Sequence, residues 1–327
     1  MIRRRLLISA ATFASLGTMA GASVQAQEDA YPSRPITLVV QSVPGALPDQ
    51  AARIYSERLS SFLKQSVVIE NVSGAGGMIA FRRVAGARPD GYTLLVAVNT
   101  VIAQPLLNPK AGYAMKDYTV VGELARAYSL LVTSAESPYK RLDDLLEAAR
   151  KNPGTISYGS TGVGTTGHLN VEMLADRAKV KFLHVPYKGV AAAVPDVVGQ
   201  RLNFVMPTAS STSELVRSGA LRALSISSAT RSQAYPDVPT LAELGYPDSG
   251  FEVWCAVFAP AGLPPAVLDK LAQALEYARS DQSLVSSFAA TGQYISNLRT
   301  PAQFAAAVED ETVKLQSLIK AANIVIE

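Results

Sequence analysis

Cysteine, histidine and charge are all scarce in this chain of 327 residues, and each scarcity closes off some chemistry. Cys255 is the single cysteine, so no intramolecular disulfide can form. Its apolar neighbours in FEVWCAVFAP mark a buried small hydrophobe rather than a reactive thiol. Stability must therefore come from a packed core. The two histidines, His168 and His184, stand in neither an H-x-x-x-H nor an H-E-x-x-H spacing and have no cysteine partner, so no metal site is expected. His184 lies mid-strand in KFLHVPYKG and reads as a hydrogen-bonded structural histidine, whereas His168 opens a helix and orients a turn. Neither has a carboxylate partner in sequence for proton chemistry. Charged residues make up 17% of the chain, and its net charge of +3 is matched by Arg3, Arg4 and Arg5 alone. The near-neutral remainder argues against nucleic acid as a partner.

A long hydrophobic run is also missing. The uncharged stretch from Leu6 to Met19 has 14 residues, short of the roughly 20 that a spanning helix needs. It follows the arginine triplet and precedes small residues ending in Val24-Gln25-Ala26, the pattern of a secretory signal peptide over residues 1–26 with cleavage after Ala26. Both the general and the twin-arginine export routes stay open. Later apolar runs are interrupted by charge, glycine or proline, so the expectation is a soluble protein outside the cytoplasm with no direct membrane span.

What the chain does have is a 48% hydrophobic composition, enough for one large or two mid-sized domains. Apolar, β-branched runs at 36–40, 67–71, 92–98, 129–134, 156–160, 182–187, 202–207, 221–227 and 251–260 predict strands. Helical periodicity fills the intervals at 49–64, 78–85, 142–151, 168–179, 191–199 and 211–218. The alternation predicts an α/β fold with mainly parallel sheets and helices on their faces. After Pro260 the pattern is almost purely helical (264–280, 282–290, 301–323), with Pro264 and Pro301 near helix starts. Such a block has to bury its apolar stripe on an earlier sheet, so the C-terminus is expected to return to the first domain.

Three unusual loops each follow a predicted strand and precede a predicted helix: VVQSVPGALPDQAAR (39–53), IENVSGAGGMIAFRR (69–83) and GSTGVGTTGHLNVEM (159–173). Ligands of open α/β sheets collect at the carboxyl ends of strands, so the three can face one crevice. Glycines admit close approach of main-chain N–H groups, and a helix N-terminus adds about half a positive charge. Together they bind anions without an arginine. Gly74, Gly76 and Gly77 fit this logic, as do Gly162 and Gly164 with Ser160, Thr165 and Thr166; tight turns and N-caps are the alternative. Asp49 is either a first-turn cap or a carboxylate at the pocket mouth. Asp143 and Asp144 start a helix and read as structural, and Met115, Met173 and Met206 as core or pocket wall.

Enzyme readings fare worse. Gly162, Gly164 and Gly167 have the G-x-G-x-x-G spacing of a dinucleotide turn, the alternative being an NAD(P)-dependent oxidoreductase. The acidic residue expected about 20 positions on is absent, because that strand reads KFLHVPYKG. Ser160 is not in G-x-S-x-G, and no triad order is supported. No catalytic residues and no cofactor are expected, which leaves an exported receptor.

The chain resembles the extracytoplasmic solute receptors of tripartite tricarboxylate transporters, the Bug family. The resemblance rests on YPSRPITLVV, SGAGGMIAFRRVAGARPDGYTLLV, ISYGSTGVGTTGHLNVEML, FLHVPYKGVAAAVPDVVGQRLNF, LRALSISSATRSQAYPDVPTLAELGY and FEVWCAVFAPAGLP, and spans about Tyr31 to the C-terminus. It implies a type II periplasmic-binding-protein fold of two α/β domains around a ligand cleft, domain 1 at 31–128 plus 256–327 and domain 2 at 129–255. It implies a periplasmic, monomeric receptor for a small organic carboxylate, closing like a hinge and delivering its ligand to the membrane components of a tripartite transporter. Carried over by position, the binding loops are Ser42 to Asp49 (with Gly45 and Ala46), Ser73 to Ile79 (with Ala75, Gly76 and Gly77) and Ser160 to Thr166 (with Gly164 and Thr165), and Tyr187 lines the domain 2 wall. Asp49 would read the distal part of the ligand. Ser42 stands where relatives commonly carry an aromatic, Ala46 where a second glycine is usual, and Pro48 where a small polar residue is usual. Ala46 and Pro48 stiffen the turn, and Pro48 removes an N–H. Met78 replaces a common polar residue, so the expected ligand is a carboxylate with some apolar body.

Overall fold

The computed structural model describes residues 31–290 and 293–321. The expected signal peptide and its cleavage point lie outside the described residues. The first run of the chain forms β1 (Ile36–Val40), α1 (Leu47–Leu63), β2 (Val67–Asn71), α2 (Met78–Ala85), β3 (Thr93–Val98), α3 (Thr100–Leu107) and β4 (Tyr118–Ala127). The second forms β5 (Leu130–Ser134), α4 (Leu142–Lys151), β6 (Ser157–Ser160), α5 (Thr166–Ala178), β7 (Leu183–Pro186), α6 (Val190–Val198), β8 (Phe204–Val205), α7 (Ser213–Arg217) and β9 (Leu221–Ile226). Then come β10 (Val253–Pro260), α8 (Pro265–Arg279), α9 (Gln282–Ala290) and α10 (Pro301–Ala321).

Two sheets result, in the orders β2-β1-β3-β10-β4 and β7-β6-β8-β5-β9. In the first, β2, β1 and β3 pair in parallel while β10 runs antiparallel to both β3 and β4. In the second, β7, β6 and β8 are parallel and β5 runs antiparallel to β8 and β9. The sheets are thus mainly parallel, as the βαβ rhythm predicts, with one reversed strand in each. The reversed strands are the two by which the chain arrives from the other sheet. Strands joined by a crossover helix come out parallel; β5 and β10 enter directly from the opposite sheet and point the other way. Consequently the carboxyl ends of the parallel strands and the starts of β5 and β10 gather at one place, between the sheets.

Alternation along each strand divides the core. In β1, Ile36, Leu38 and Val40 pack with the apolar stripe of α1 and with α8, whereas Val39 faces α2 and α3. In β10, Cys255, Val257 and Ala259 go to the first of these layers and Trp254, Ala256 and Phe258 to the second, the period of two expected of a strand covered on both faces. The helices α8 and α9 lie on one face of the first sheet and α10 on the other, through Phe304, Val308 and Leu315. This is the return to the first sheet that the C-terminal helical block requires. In the second sheet α4 and α5 cover one face and α6 the other.

Two elements were not among the sequence expectations. β4 carries Glu123 and Arg126, which break its apolar run; Glu123 is buried and paired with Arg126 at 2.6 Å, with Ser296 Oγ donating to it. α3 contains Pro105. Its start is fixed by Asn99, whose side chain donates to Glu311 of α10 and to the Glu252 carbonyl, and accepts from the Trp254 N–H at 3.0 Å. Packing and these bonds hold a helix that propensity alone disfavours.

Candidate functional site

Between the sheets lies a cavity of about 220 Å3. Its wall is made where the topology predicts: Val98 ends β3, Ser160 ends β6, Met206 follows β8, Ser129 precedes β5 and Val253 begins β10. No Asp, Glu, Lys, Arg or His is among its lining residues. The polar groups are hydroxyls and main chain, and the rest is apolar.

Three helices begin on this wall. Thr100 is the first residue of α3, Thr166 and Gly167 are the first two of α5, and Val190 is the first of α6. Among the described residues no acceptor takes the main-chain N–H groups of Thr100, Thr166 or Gly167, the orphan donors of a helix start. Each start adds partial positive charge directed at the same space. Gln41, after β1, sets the α3 end: its Nε2 donates to Thr100 Oγ1 at 2.9 Å and its Oε1 accepts from the Val98 N–H at 3.0 Å. The Thr100 hydroxyl proton is left uncommitted among the described residues. An uncharged cavity facing three helix N-termini is suited to an anion with an apolar body.

The turn before α5 is tightly knit. Ser160 Oγ accepts from the Gly162 N–H at 3.0 Å and lies 2.6 Å from His184 Nε2. Thr165 Oγ1 donates to the Gly162 carbonyl at 2.7 Å. Behind the turn, His168 packs edge-on to His184 with ring centroids 4.5 Å apart, and His184 stacks on Tyr158. Burial, and then the adjacent His184, pushes His168 down to about 4, and burial lowers His184 as well. Both rings are therefore uncharged supports at neutral pH. The Ser160–His184 pair has no third group, since no carboxylate among the described residues engages His184. No group of three metal-ligating side chains occurs among the described residues.

Of the residues singled out in the sequence, Ser160, Thr165, Thr166, Gly167 and Met206 line the cavity. Gly164 is buried behind them, its N–H directed at His168 Nδ1 at 3.4 Å. Tyr187 is committed elsewhere, donating its hydroxyl to Asp196 at 2.7 Å. Residues Gly74 to Gly77 form a turn in which all four φ angles are positive, Ala75 included at 49°. Ser42, Gly45, Ala46 and Asp49 form one knot: Asp49, 1% exposed, accepts from the Gly45 N–H at 2.8 Å, Arg53 Nε at 2.9 Å and Asn71 Nδ2 at 3.0 Å. Asn71 also donates to the Ser42 carbonyl. Burial alone would raise the Asp49 carboxyl; hydrogen bonds from Arg53, Gly45 and Asn71 outweigh it and hold the group below its usual range. Neither this knot nor the Gly74 to Gly77 turn is part of the cavity wall. Thr100 and Ser129 are on the wall and were missed. Thr100 had a readable signal, an Asn-Thr pair at the end of a strong strand before a helical run, which Pro105 obscured.

Two mainly parallel α/β sheets, exchanging one reversed strand each around a cleft that gathers helix N-termini, define a two-domain solute-binding protein. Comparison with known families makes this specific: the chain belongs to the tripartite tricarboxylate transporter family receptors, whose model matches residues 51–324. It is 38% identical over 322 residues to the UPF0065 protein in the tcbD-tcbE intergenic region of Pseudomonas sp. strain P51, covering 97% of this chain and 94% of that one. Among solved structures it is similar to the periplasmic binding protein BugD, with a TM-score of 0.77 and 30% identity over 91% of this chain and 100% of the other. It is also similar to Rpa4515 of R. palustris, solved with adipate, with a TM-score of 0.79 and 31% identity over 90% of this chain and 99% of the other. The family is one of periplasmic solute receptors and not of enzymes. The Gly162, Gly164 and Gly167 spacing accordingly stands in a solute receptor and is not the cofactor fingerprint of an oxidoreductase.

Proposed function

We propose that this protein is an exported, monomeric receptor that captures a small organic carboxylate with an apolar body in the cleft and delivers it to the membrane components of a tripartite tricarboxylate transporter. The observation that carries this is the cavity where α3 and α5 both begin, lined by hydroxyls and apolar side chains and by no ionised group. A carboxylate there replaces its water shell with main-chain N–H groups and the Ser160 and Thr165 hydroxyls, and Val98, Val253 and Met206 cover its body. Support from relatives is the adipate bound by Rpa4515. In this reading the two domains are residues 31–128 with 256–327, and 129–255. The turn at Ala75, Gly76 and Gly77 approaches the ligand on closure, and Tyr187 braces the domain 2 wall. Ser42, Gly45, Ala46 and Asp49 shape the mouth, with Asp49 as the anchor of that loop.

The test is a thermal-shift panel of mono- and dicarboxylates, adipate included, with NAD and NADP alongside. A ligand bound only by the folded form raises the melting temperature by mass action, about 2.7 kcal/mol of stabilisation at a hundredfold excess over Kd. A shift with one or more carboxylates and none with the nucleotides is expected. No shift with any carboxylate would end this reading.

A further inference from the structure

The helix that the sequence did not announce carries a second polar residue beside the cavity, just behind its lining residues. Thr100 and Gln104 are four residues apart on α3 and so share one face of the helix, and Thr100 is on the cavity wall. Gln104 is 5% exposed. Its main-chain carbonyl accepts from the Asn108 N–H, but among the described residues nothing hydrogen-bonds its side-chain amide. Buried amides nearly always have partners; this one has none from the described residues and its atoms are not fully sealed off, so it is open to a partner that arrives from outside.

The position of the amide narrows what that partner is. A Cβ built on Gly76 would fall 2.7 Å from Gln104 Nε2, and one built on Gly164 would fall 3.9 Å from the same atom. The side chain therefore lies where the two glycine turns, one from each sheet, come together. Both glycines have positive φ, 65° and 78°. A side chain at position 76 would occupy the place of the amide. A carboxamide offers a donor at Nε2 and an acceptor at Oε1 side by side, and both are unused here. A plain carboxylate has only acceptors, so it satisfies Nε2 and leaves Oε1 unpaired. A carboxylate carrying a neighbouring hydroxyl satisfies both.

We propose that Gln104 is a ligand-contacting, specificity-determining residue of this receptor, donating through Nε2 to the carboxylate of the solute and accepting through Oε1 from a hydroxyl beside it, so that hydroxycarboxylates are preferred over their deoxy counterparts. This rests on the receptor reading above and adds the hydroxyl requirement and the residue that imposes it. Because the amide meets both turns, its engagement also ties ligand recognition to the approach of the two sheets.

The experiment is isothermal titration of wild type, Gln104→Met and Gln104→Glu with two pairs that differ by one hydroxyl, malate against succinate and mandelate against phenylacetate. Wild type is expected to bind the hydroxylated member of at least one pair about tenfold more tightly, the worth of one good hydrogen bond. Gln104→Met keeps the size of the side chain and is expected to bring that ratio to about one. Gln104→Glu places a carboxylate against the anion and is expected to abolish binding of both members. Melting of the ligand-free variants should stay close to wild type, since an unpaired amide contributes no bond to lose; if Gln104→Met fails to fold, the isosteric Gln104→Glu still reads anion contact. A wild type that prefers the hydroxylated member of neither pair, or a ratio untouched by Gln104→Met, overturns the proposal while leaving the receptor function standing. A wild type that responds to other carboxylates but to none of these four also overturns it alone. Failure of every carboxylate in the wider panel overturns the receptor reading and this one together.

Discussion

His184 Nε2 lies 2.6 Å from Ser160 Oγ, so a half-buried imidazole determines which way a cavity hydroxyl points. If Nε2 carries the proton, Ser160 accepts from it, and its own proton, which here goes to the Gly162 carbonyl at 3.1 Å, can swing to an anion. If Nε2 is bare, Ser160 donates inward and offers the cavity only a lone pair. A bound carboxylate selects the first arrangement, because only a donor is useful to it. Stacking on Tyr158 holds the ring in register, and Tyr158 is itself fixed by donating to Glu172 at 2.6 Å.

Ser160→Ala should therefore weaken carboxylate binding by about tenfold, the loss of one charge-assisted hydrogen bond. His184→Phe should do nearly as much without touching the ligand, because Ser160 is no longer oriented; His184→Gln, which can still donate, should recover part of the loss. Titration calorimetry with adipate, or with the best carboxylate of the panel, measures all three. Equal affinity in wild type and His184→Phe would refute the orienting role.

Asp49→Ala separates anchoring from recognition. The carboxylate accepts from Gly45, Arg53 and Asn71 and has no oxygen facing the cavity wall. Removing it takes the charged acceptor from the Gly45 N–H, Arg53 and Asn71, whose amide keeps its bond to the Ser42 carbonyl, at about 1–3 kcal/mol. Urea denaturation should show that loss, with Kd for the carboxylate changed less than Ser160→Ala changes it. A stable variant that no longer binds would instead make Asp49 a ligand contact.

How far the sequence carried can be judged from particular elements. β1, β2, α2 and α4 fall on the expected spans, because an apolar run bounded by Gly, Pro or Asn, or a full amphipathic stripe, is a local signal. β4 and α3 were not legible for a shared reason: each violates local preference and is rescued by tertiary bonds. Glu123 is tolerated in β4 through Arg126 and Ser296, and Pro105 in α3 through packing and the Asn99–Glu311 link. At the site, Ser160 and Thr165 were readable from a strand-to-helix turn. Thr100 and Gln104 were not, since their helix was itself unreadable. The reversed senses of β5 and β10 have no sequence signature at all, being consequences of which sheet each strand arrives from.

Gly164 is where the two sheets touch through a missing side chain. A Cβ there would fall 2.5 Å from Leu107 Cδ1, with φ at 78°. Gly164→Ala should pay about 1 kcal/mol for the left-handed conformation and hold the turn away from α3, weakening carboxylate binding severalfold. Gly219→Ala is the control: its φ is also 78° but nothing lies within 4 Å, so it should show the conformational cost alone. Leu107→Ala in the Gly164→Ala background should restore part of the affinity by making room, a coupling that a double-mutant cycle reads directly. Additive effects would mean that the contact does not govern binding.

Two buried groups should give the protein opposite pH dependences that largely cancel. His168 is pushed from its ordinary 6.5 to about 4 by burial and the adjacent His184. Between these values the unfolded chain binds a proton that the folded one refuses, so stability falls as pH drops from 6.5 towards 4, by up to about 3 kcal/mol. Glu311 is pushed by burial from 4.5 up to about 7, although Asn99 and Trp254 Nε1 donate to it, the latter at 2.7 Å. Here the folded state holds the extra proton, so stability falls as pH rises from 4.5 to 7, by a similar amount. Over about 4.5 to 6.5 the slopes oppose, and wild-type stability should be nearly flat, tilted by His184, whose lowered value adds to the histidine side. Replacing Glu311 with Gln should unmask a profile that climbs with pH across this window, and His168→Asn should unmask one that declines. Urea denaturation at pH 4.5, 5.5 and 6.5 for the three proteins checks the signs, and a wild type that changes steeply while either variant stays flat would contradict the pairing.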